Sequence, residues 1–269
     1  MRSPVVVLAM LAVLSCVGGT ASAQHELTGE LSGPTVRPAR AIVVVAGATG
    51  RTGRLVIEQL QALGRYEVRA LARDPGKARR EIGAGYTWLT ADVTRPDTLA
   101  GPLRGAAFVI CAIGATARSG PNGPEFVDYG GVRNLVDSAR RAGVRRFVLV
   151  SSIGAGGEGG LTRWILNTIG GDVLVWKARG ERHLRASGVP YVIVRPGGLR
   201  DGPGDRTGLR LMQGDTGFGR ITRADTARVV IATLDQPAAV GKTFEVVEDE
   251  AVPVVAWRQG FTALRADSL

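Results

Sequence analysis

The chain predicts an α/β fold, a doubly wound parallel sheet with a small C-terminal lobe, on three observations. Short apolar, β-branched runs recur along it, as in strands buried on both faces. Between them lie segments whose apolar residues fall at helical spacing. This regular alternation means parallel strands joined by helical crossovers. The third observation is local: the run Ala41-Ile42-Val43-Val44-Val45-Ala46 passes directly into a glycine turn and then a helix.

That turn reads Gly47-Ala48-Thr49-Gly50-Arg51-Thr52-Gly53, and Arg54–Leu60 follows with apolar residues on one helical face. Gly47 lets the chain turn, Gly50 lets backbone N–H groups approach a pyrophosphate, and Gly53 lets the helix pack closely on the strand. Strand, turn and helix N-terminus together make an anion site, since the positive end of the helix dipole faces the turn. Thr49, Arg51 and Thr52 lie in the same turn and join the three glycines as candidate dinucleotide contacts. The fold is therefore of the Rossmann type.

The remaining elements follow in order. Glu67–Arg73 reads as the second strand, and Asp74-Pro75 opens a short helix. Tyr86–Thr90 is the third strand, with a helix starting at Arg95-Pro96-Asp97. Ala106–Ala112 is the fourth strand and Pro124–Ala142 a long helix. Arg146–Val150, the helix Asp172–Ser187 and the strand Pro190–Arg195 complete the regular part. Beyond Gly198 the alternation loosens into a Gly-rich loop, a helix over Arg223–Leu234 and a strand over Thr243–Val247. This part is expected to form a small lobe over the cleft from about residue 199, in a domain spanning 41–250, with 251–269 as a C-terminal tail. The chain contains no internal repeat.

Composition narrows the function classes. The formal net charge of +10 is carried almost wholly by arginine, because the lysines are only Lys77, Lys177 and Lys242. Arg140-Arg141 and Arg79-Arg80 fall where helices should end, where cations favour the helix dipole. No basic stripe interleaved with aromatics marks a single-stranded nucleic-acid surface, so no nucleic-acid partner is expected. There is neither zinc-ligand spacing nor a G-x-S-x-G nucleophile elbow, and Cys111 reads as an inert buried thiol.

Residues 1–23 have the form of a signal peptide: Arg2, an apolar core over Val5–Leu14, and Ala21-Ser22-Ala23 before Gln24. The core is too short to span a bilayer. Leu14-Ser15-Cys16 offers a second reading, as a lipid-attachment site. Cleavage after Ala23 removes Cys16 and leaves Cys111 alone, so no intrachain disulfide forms. Residues 24–40 read as a linker. Export to the periplasm conflicts with a cofactor that is cytoplasmic currency. Three resolutions stand: export with cofactor bound, export with the fold put to another use, or a start site assigned too early in a cytoplasmic protein.

Ligands of such sheets sit beyond the carboxyl ends of the strands. Arg73 ends the second strand, where an acidic residue usually accepts from the ribose 2′-OH of NAD. An arginine fits a 2′-phosphate instead, so NADP(H) is preferred and NAD(H) possible; the alternative is a solvated strand-end residue. Asp92-Val93 follows the third strand, where a carboxylate can accept from the adenine amino group, or else cap a helix. Ala112, Ile113 and Gly114 follow the fourth strand, and their small size lets the backbone lie against ribose and phosphates.

The blocks GATGRTG, Asp92-Val93, AIGA, VRNLVDSARRAGVRRFVLVSSIGA, KARGERHLRASGVPYVIVRPGGL and ITRADTARVVIATLDQPAAVGKTFEVV resemble the atypical short-chain dehydrogenase/reductases. The branch that looks closest holds the small NAD(P)H-binding proteins similar to biliverdin reductase B and the NmrA-like proteins. The resemblance runs from about Ala41 to Val247. It implies a catalytic serine after the fifth strand, here Ser151 or Ser152, and a Tyr-x-x-x-Lys pair on the next helix, here ending in Lys177. In that set the lysine holds the nicotinamide ribose and lowers the tyrosine pKa, the tyrosine moves a proton, and the serine orients the carbonyl. Val173 stands where the tyrosine belongs. Pro196, Gly197 and Gly198 resemble the loop that holds the nicotinamide carboxamide. The resemblance implies a reductase acting on a small-molecule acceptor, and with Val173 in place of the tyrosine the acceptor expected is one that draws its proton from solvent, such as a quinone, flavin or tetrapyrrole-like molecule. A cofactor-bound sensor or assembly protein is the alternative, and a sugar-nucleotide-type epimerase a third.

Overall fold

A computed structural model describes residues 39–156, 172–215 and 217–268. The signal-peptide reading of 1–23 and the linker up to Pro38 therefore lie outside the described residues. Among the described residues ten strands form in chain order: β1 (Ala41–Ala46), β2 (Tyr66–Ala72), β3 (Thr87–Thr90), β4 (Phe108–Cys111), β5 (Arg146–Val150), β6 (Tyr191–Pro196), β7 (Gly198–Arg200), β8 (Leu209–Met212), β9 (Arg220–Thr222) and β10 (Lys242–Glu248). Eight of them make one sheet in the order β3-β2-β1-β4-β5-β6-β10-β8, parallel except for the antiparallel edge strand β8. The order reverses between β1 and β4, and that switch point opens a crevice at the strands' carboxyl ends.

Alternate residues of each strand face opposite layers. Val43 and Val45 point into a core shared with helix α1 (Arg51–Leu63), while Val44 and Ala46 face the opposite core. The shorter helices α2 (Pro75–Glu81) and α3 (Ala100–Leu103) follow β2 and β3. On the second face pack α4 (Val132–Arg141), through Leu135 and Val136, and α5 (Val173–Ala186), through Leu184. On the first face, helix α6 (Arg223–Ala232) lies against α1, and Gln59 Nε2 donates to the Ala224 carbonyl at 3.0 Å. The chain beyond Glu250 contributes Trp257, Phe261 and Leu264 to the same core, with Phe261 edge-on to Phe244 at 5.6 Å.

Local chemistry explains the element ends. Asp74 caps α2 by accepting the Lys77 amide, with Pro75 at the first helical position. Thr222 caps α6 by accepting from the Asp225 amide at 3.0 Å. The long helix expected over 124–142 opens with a π-helical stretch, Glu125–Gly131, before α4. The Gly-rich part after Gly198 holds three strands that periodicity does not reveal, because runs of three or four residues are too short to show alternation. Of these, β7 and β9 pair in a separate two-stranded parallel sheet, and β8 joins the main one. Among the described residues no helix is long and apolar enough to cross a membrane.

Candidate functional site

Two cavities adjoin at the carboxyl ends of the strands. The larger, about 1100 Å³, runs from the glycine turn to β7 and the segment before β9. The smaller, about 180 Å³, lies between the ends of β2, β3 and β4. Gly50, Ala112, Ile113 and Gly114 line both. Gly47, Thr49, Arg73, Asp92 and Val93 line the smaller cavity. Arg51, Thr52, Ser151, Ser152, Lys177, Pro196, Gly197 and Gly198 line the larger one. Of the candidate cofactor and catalytic residues only Gly53 lines neither, because it is buried beneath the turn.

The turn is built as its glycines require. Gly47 has φ +80°, and a Cβ there would stand 2.5 Å from the Ala112 carbonyl oxygen, so β1 and β4 meet at bare backbone. A Cβ on Gly53 would stand 2.1 Å from the Gly47 carbonyl oxygen. Helix α1 begins at Gly50 with no side-chain cap and no acidic residue in its first turn. Its amide end thus carries no competing carboxylate, which suits a phosphate group. Arg51 reaches across to Asp201 at 3.4 Å, and Asp201 also accepts from Arg223 at 2.8 Å. These residues fit a dinucleotide: a backbone cradle that any side chain would fill, a helix N-terminus and a cationic rim.

At the smaller cavity, the exposed Arg73 donates to Asn122 Oδ1 at 3.0 Å. Asp92 Oδ1 accepts from the Thr94 amide at 2.9 Å and its hydroxyl at 2.7 Å, so that oxygen is already engaged. The Val93 carbonyl is held by Asn134 at 2.9 Å.

The larger cavity has an apolar side made by Ile113, Val150, Ile153, Leu199 and Phe218. Phe218 is 77% exposed at the mouth of this cavity. Lys177 enters from α5, with Nζ 2.7 Å from Asp128 Oδ1. Val173, one turn earlier on α5, does not reach the lining. Ser151 Oγ donates to Glu181 Oε1 at 2.6 Å. The hydroxyl proton is thereby committed, and the oxygen offers lone pairs to the cleft. Ser152 Oγ donates to the Ile153 carbonyl at 3.0 Å.

Behind Ser151 lies a buried charge network. Arg195 donates to Glu181 at 3.0 and 2.6 Å and lies 3.4 Å from Glu245, while Arg185 reaches Glu181 at 3.0 Å. Burial disfavours the Arg195 charge, but the bonds and charge of Glu181 outweigh it and push the guanidinium above its ordinary range. Burial also raises Glu245, against the opposing pull of Arg195. Asp215 accepts the Gly154 amide at 2.6 Å and the Gly156 amide at 2.8 Å, tying the loop after β5 to the loop after β8. Burial pushes the Cys111 thiol up to about 12, so it stays protonated.

Sequence reasoning missed Asp128, Glu181, Arg195, Asp215 and Phe218. A signal existed for Glu181, which lies one turn after Lys177 and four residues before Arg185, on one helical face. Asp128 is one of three acidic residues, with Glu125 and Asp137, inside the helix expected over Pro124–Ala142, and no motif marks it out. Asp215 and Phe218 sit in Gly-rich sequence without local periodicity. His183 pairs with Asp137 at 2.8 Å, and Tyr129 stacks on Trp176 at 6.1 Å.

Comparison with known proteins agrees with this geometry. The chain is 34% identical over 237 residues to the chloroplastic protein TIC 62 of Pisum sativum, covering 79% of this chain and 44% of the pea protein. It thus spans less than half the length of that relative. It is 30% identical over 243 residues to sanguinarine reductase of Eschscholzia californica, covering 76% of this chain and 87% of that enzyme. Among solved structures, the anaerobilin reductase ChuY of Escherichia coli O157:H7 superposes with a TM-score of 0.65 at 25% identity, covering 79% of this chain and 100% of that one. Residues 47–237 match the NAD(P)H-binding family. With its glycine turn, its switch-point crevice and this match over most of its length, the chain belongs to the NAD(P)H-binding family of Rossmann-fold proteins.

Proposed function

We propose that the protein is an NADP(H)-dependent reductase that passes hydride to a small, flat, electrophilic acceptor such as a quinone or flavin. One observation carries the reading. A single cleft joins the glycine turn to an apolar chamber walled by Ile153, Leu199 and Phe218, with the ammonium of Lys177 at its side. The bound nicotinamide supplies the hydride chemistry. The chain's own residues bind and orient. The turn and the start of α1 hold the phosphates, Arg73 and Asn122 receive a 2′-phosphate, and Asp92 with Val93 faces the adenine. Lys177 hydrogen-bonds ribose hydroxyls, and the backbone of Pro196–Gly198 holds the carboxamide. Apolar walls exclude water and favour a flat acceptor. A quinone or flavin takes its proton from solvent after reduction, so the valine at 173 is no obstacle. The reductase names of two similar proteins support the same reaction type.

A second reading, a cofactor-bound sensor or assembly protein, is favoured by Val173 and by the likeness to TIC 62. Titration of the protein with NADPH and NADH, followed by an acceptor panel, separates the two. The reductase reading expects micromolar NADPH binding, weaker NADH binding, a reversed preference in Arg73→Glu, and turnover that falls on the order of 10²–10⁴-fold but stays measurable in Lys177→Ala. NADPH binding without oxidation by any quinone, flavin or carbonyl acceptor leaves the sensor reading. Equal affinity for the two cofactors in wild type refutes the role given to Arg73.

A further inference from the structure

The π-helical stretch Glu125–Gly131 places one carboxylate beneath both sides of the larger cavity. The Asp128 side chain is fully buried, at 0% exposure, while that of Lys177 is 17% exposed. Oδ1 lies 2.7 Å from Lys177 Nζ, and Oδ2 accepts the Ala115 amide at 3.0 Å. Lys177 and Ala115 both line the cleft, Ala115 at the end of the run that follows β4. A buried carboxylate is costly unless its charge is paired, and here Oδ1 faces the Lys177 ammonium as an ion pair while Oδ2 accepts the Ala115 hydrogen bond. A π-helical turn inserts one residue into the helical repeat and often marks a functional position.

We propose that Asp128 is a positioning residue. It fixes the Lys177 ammonium against the cleft wall, and with its other oxygen it sets the Ala115 amide, so that the lysine and the loop after β4 keep one mutual geometry. This rests on the reductase reading above for its effect on turnover, but not for the ion pair itself. The substitution Asp128→Asn separates the two contacts, because an amide oxygen still accepts from Ala115 while the charge on Lys177 loses its partner.

The protein's three lysines make the test direct. Competitive acetylation with acetic anhydride, read by mass spectrometry, should label Lys177 at least tenfold faster in Asp128→Asn, with Lys77 and Lys242 unchanged. The kcat should fall on the order of 10–100-fold, and NADPH affinity should weaken by about three- to tenfold, because the lysine that holds the ribose loses its fixed place. The double variant Asp128→Asn/Lys177→Met should be no slower than Lys177→Met alone, since coupled residues are non-additive. Unchanged Lys177 labelling, or losses that multiply in the double variant, overturns the proposal. If Asp128→Asn does not fold, Lys177→Met is read by NMR. The Ala115 amide resonance should move when the lysine is lost, and a stationary resonance overturns the proposal. Wild type that binds NADPH but reduces nothing refutes the reductase reading, and labelling with NADPH affinity then decides the role of Asp128.

Discussion

Adding one methyl group at Gly53 perturbs the centre of the phosphate cradle. A Cβ there would lie 2.1 Å from the Gly47 carbonyl oxygen and 2.7 Å from its carbon, both backbone atoms. An unstrained contact needs roughly 3.5 Å, so the start of α1 must move off the turn by about 1.4 Å. Overpacking of this kind costs about 1–3 kcal/mol of stability, offset by about 1 kcal/mol of helix propensity gained when alanine replaces glycine. The effect on binding is larger. Hydrogen bonds to a charged group contribute about 1.5–3 kcal/mol each, and a shift of this size spoils one or two of them. NADPH binding in Gly53→Ala should therefore weaken by about 2–5 kcal/mol, or roughly 30- to 5000-fold in Kd. Fluorescence titration with NADPH, paired with a thermal melt, measures both effects. Gly101→Ala is the control, since a Cβ there meets nothing within 4 Å. A Gly53→Ala protein with an NADPH Kd within threefold of wild type would refute the assignment of the turn to the phosphates.

Three further outcomes follow from the structure. Glu181→Gln leaves the buried Arg195 short of its main counter-charge and should cost about 3–5 kcal/mol in urea unfolding; a loss below about 1 kcal/mol would mean that Glu181 and Arg195 do not act together. Phe218→Ala removes an exposed ring, so stability should change by less than about 0.5 kcal/mol, while the acceptor KM rises by about tenfold and the NADPH KM does not. An unchanged acceptor KM removes Phe218 from the acceptor site. Burial raises the Asp267 carboxyl, but bonds from the Thr243 hydroxyl and amide, Tyr191 and Arg185 outweigh it and hold it below its ordinary value. A depressed folded-state value contributes stability above the unfolded carboxyl range and loses it as pH falls through the folded one. Asp267→Asn should thus be less stable than wild type at pH 7, and the gap should narrow as pH falls below about 4. A gap that does not depend on pH would show that Asp267 acts through packing alone.

The regular elements and the dinucleotide turn were legible in the sequence because their causes are local. The continuous apolar run Val43–Ala46, buried on both faces, the Asp74-Pro75 start and the glycine spacing all lie within a few residues of the structure they specify. The short strands β7, β8 and β9 were not legible, since Gly-rich runs of three or four residues carry no period and are held by pairing with distant chain. The C-terminal residues Trp257 and Phe261 gave no sign of their place in the core, because their partners lie elsewhere in the sequence.

The sequence by itself determined the strand–turn–helix unit, the parallel alternation and thus the crevice where a nicotinamide dinucleotide belongs. Only the tertiary structure decided how charge is arranged around it. Ser151 meets Glu181 30 residues away, Arg195 meets Glu245 across 50, and the lysine that sequence singled out is answered by Asp128. Local propensity acts along the chain over a turn or two. Ion pairing and desolvation act through space, and their partners are chosen only when the helices settle on the sheet.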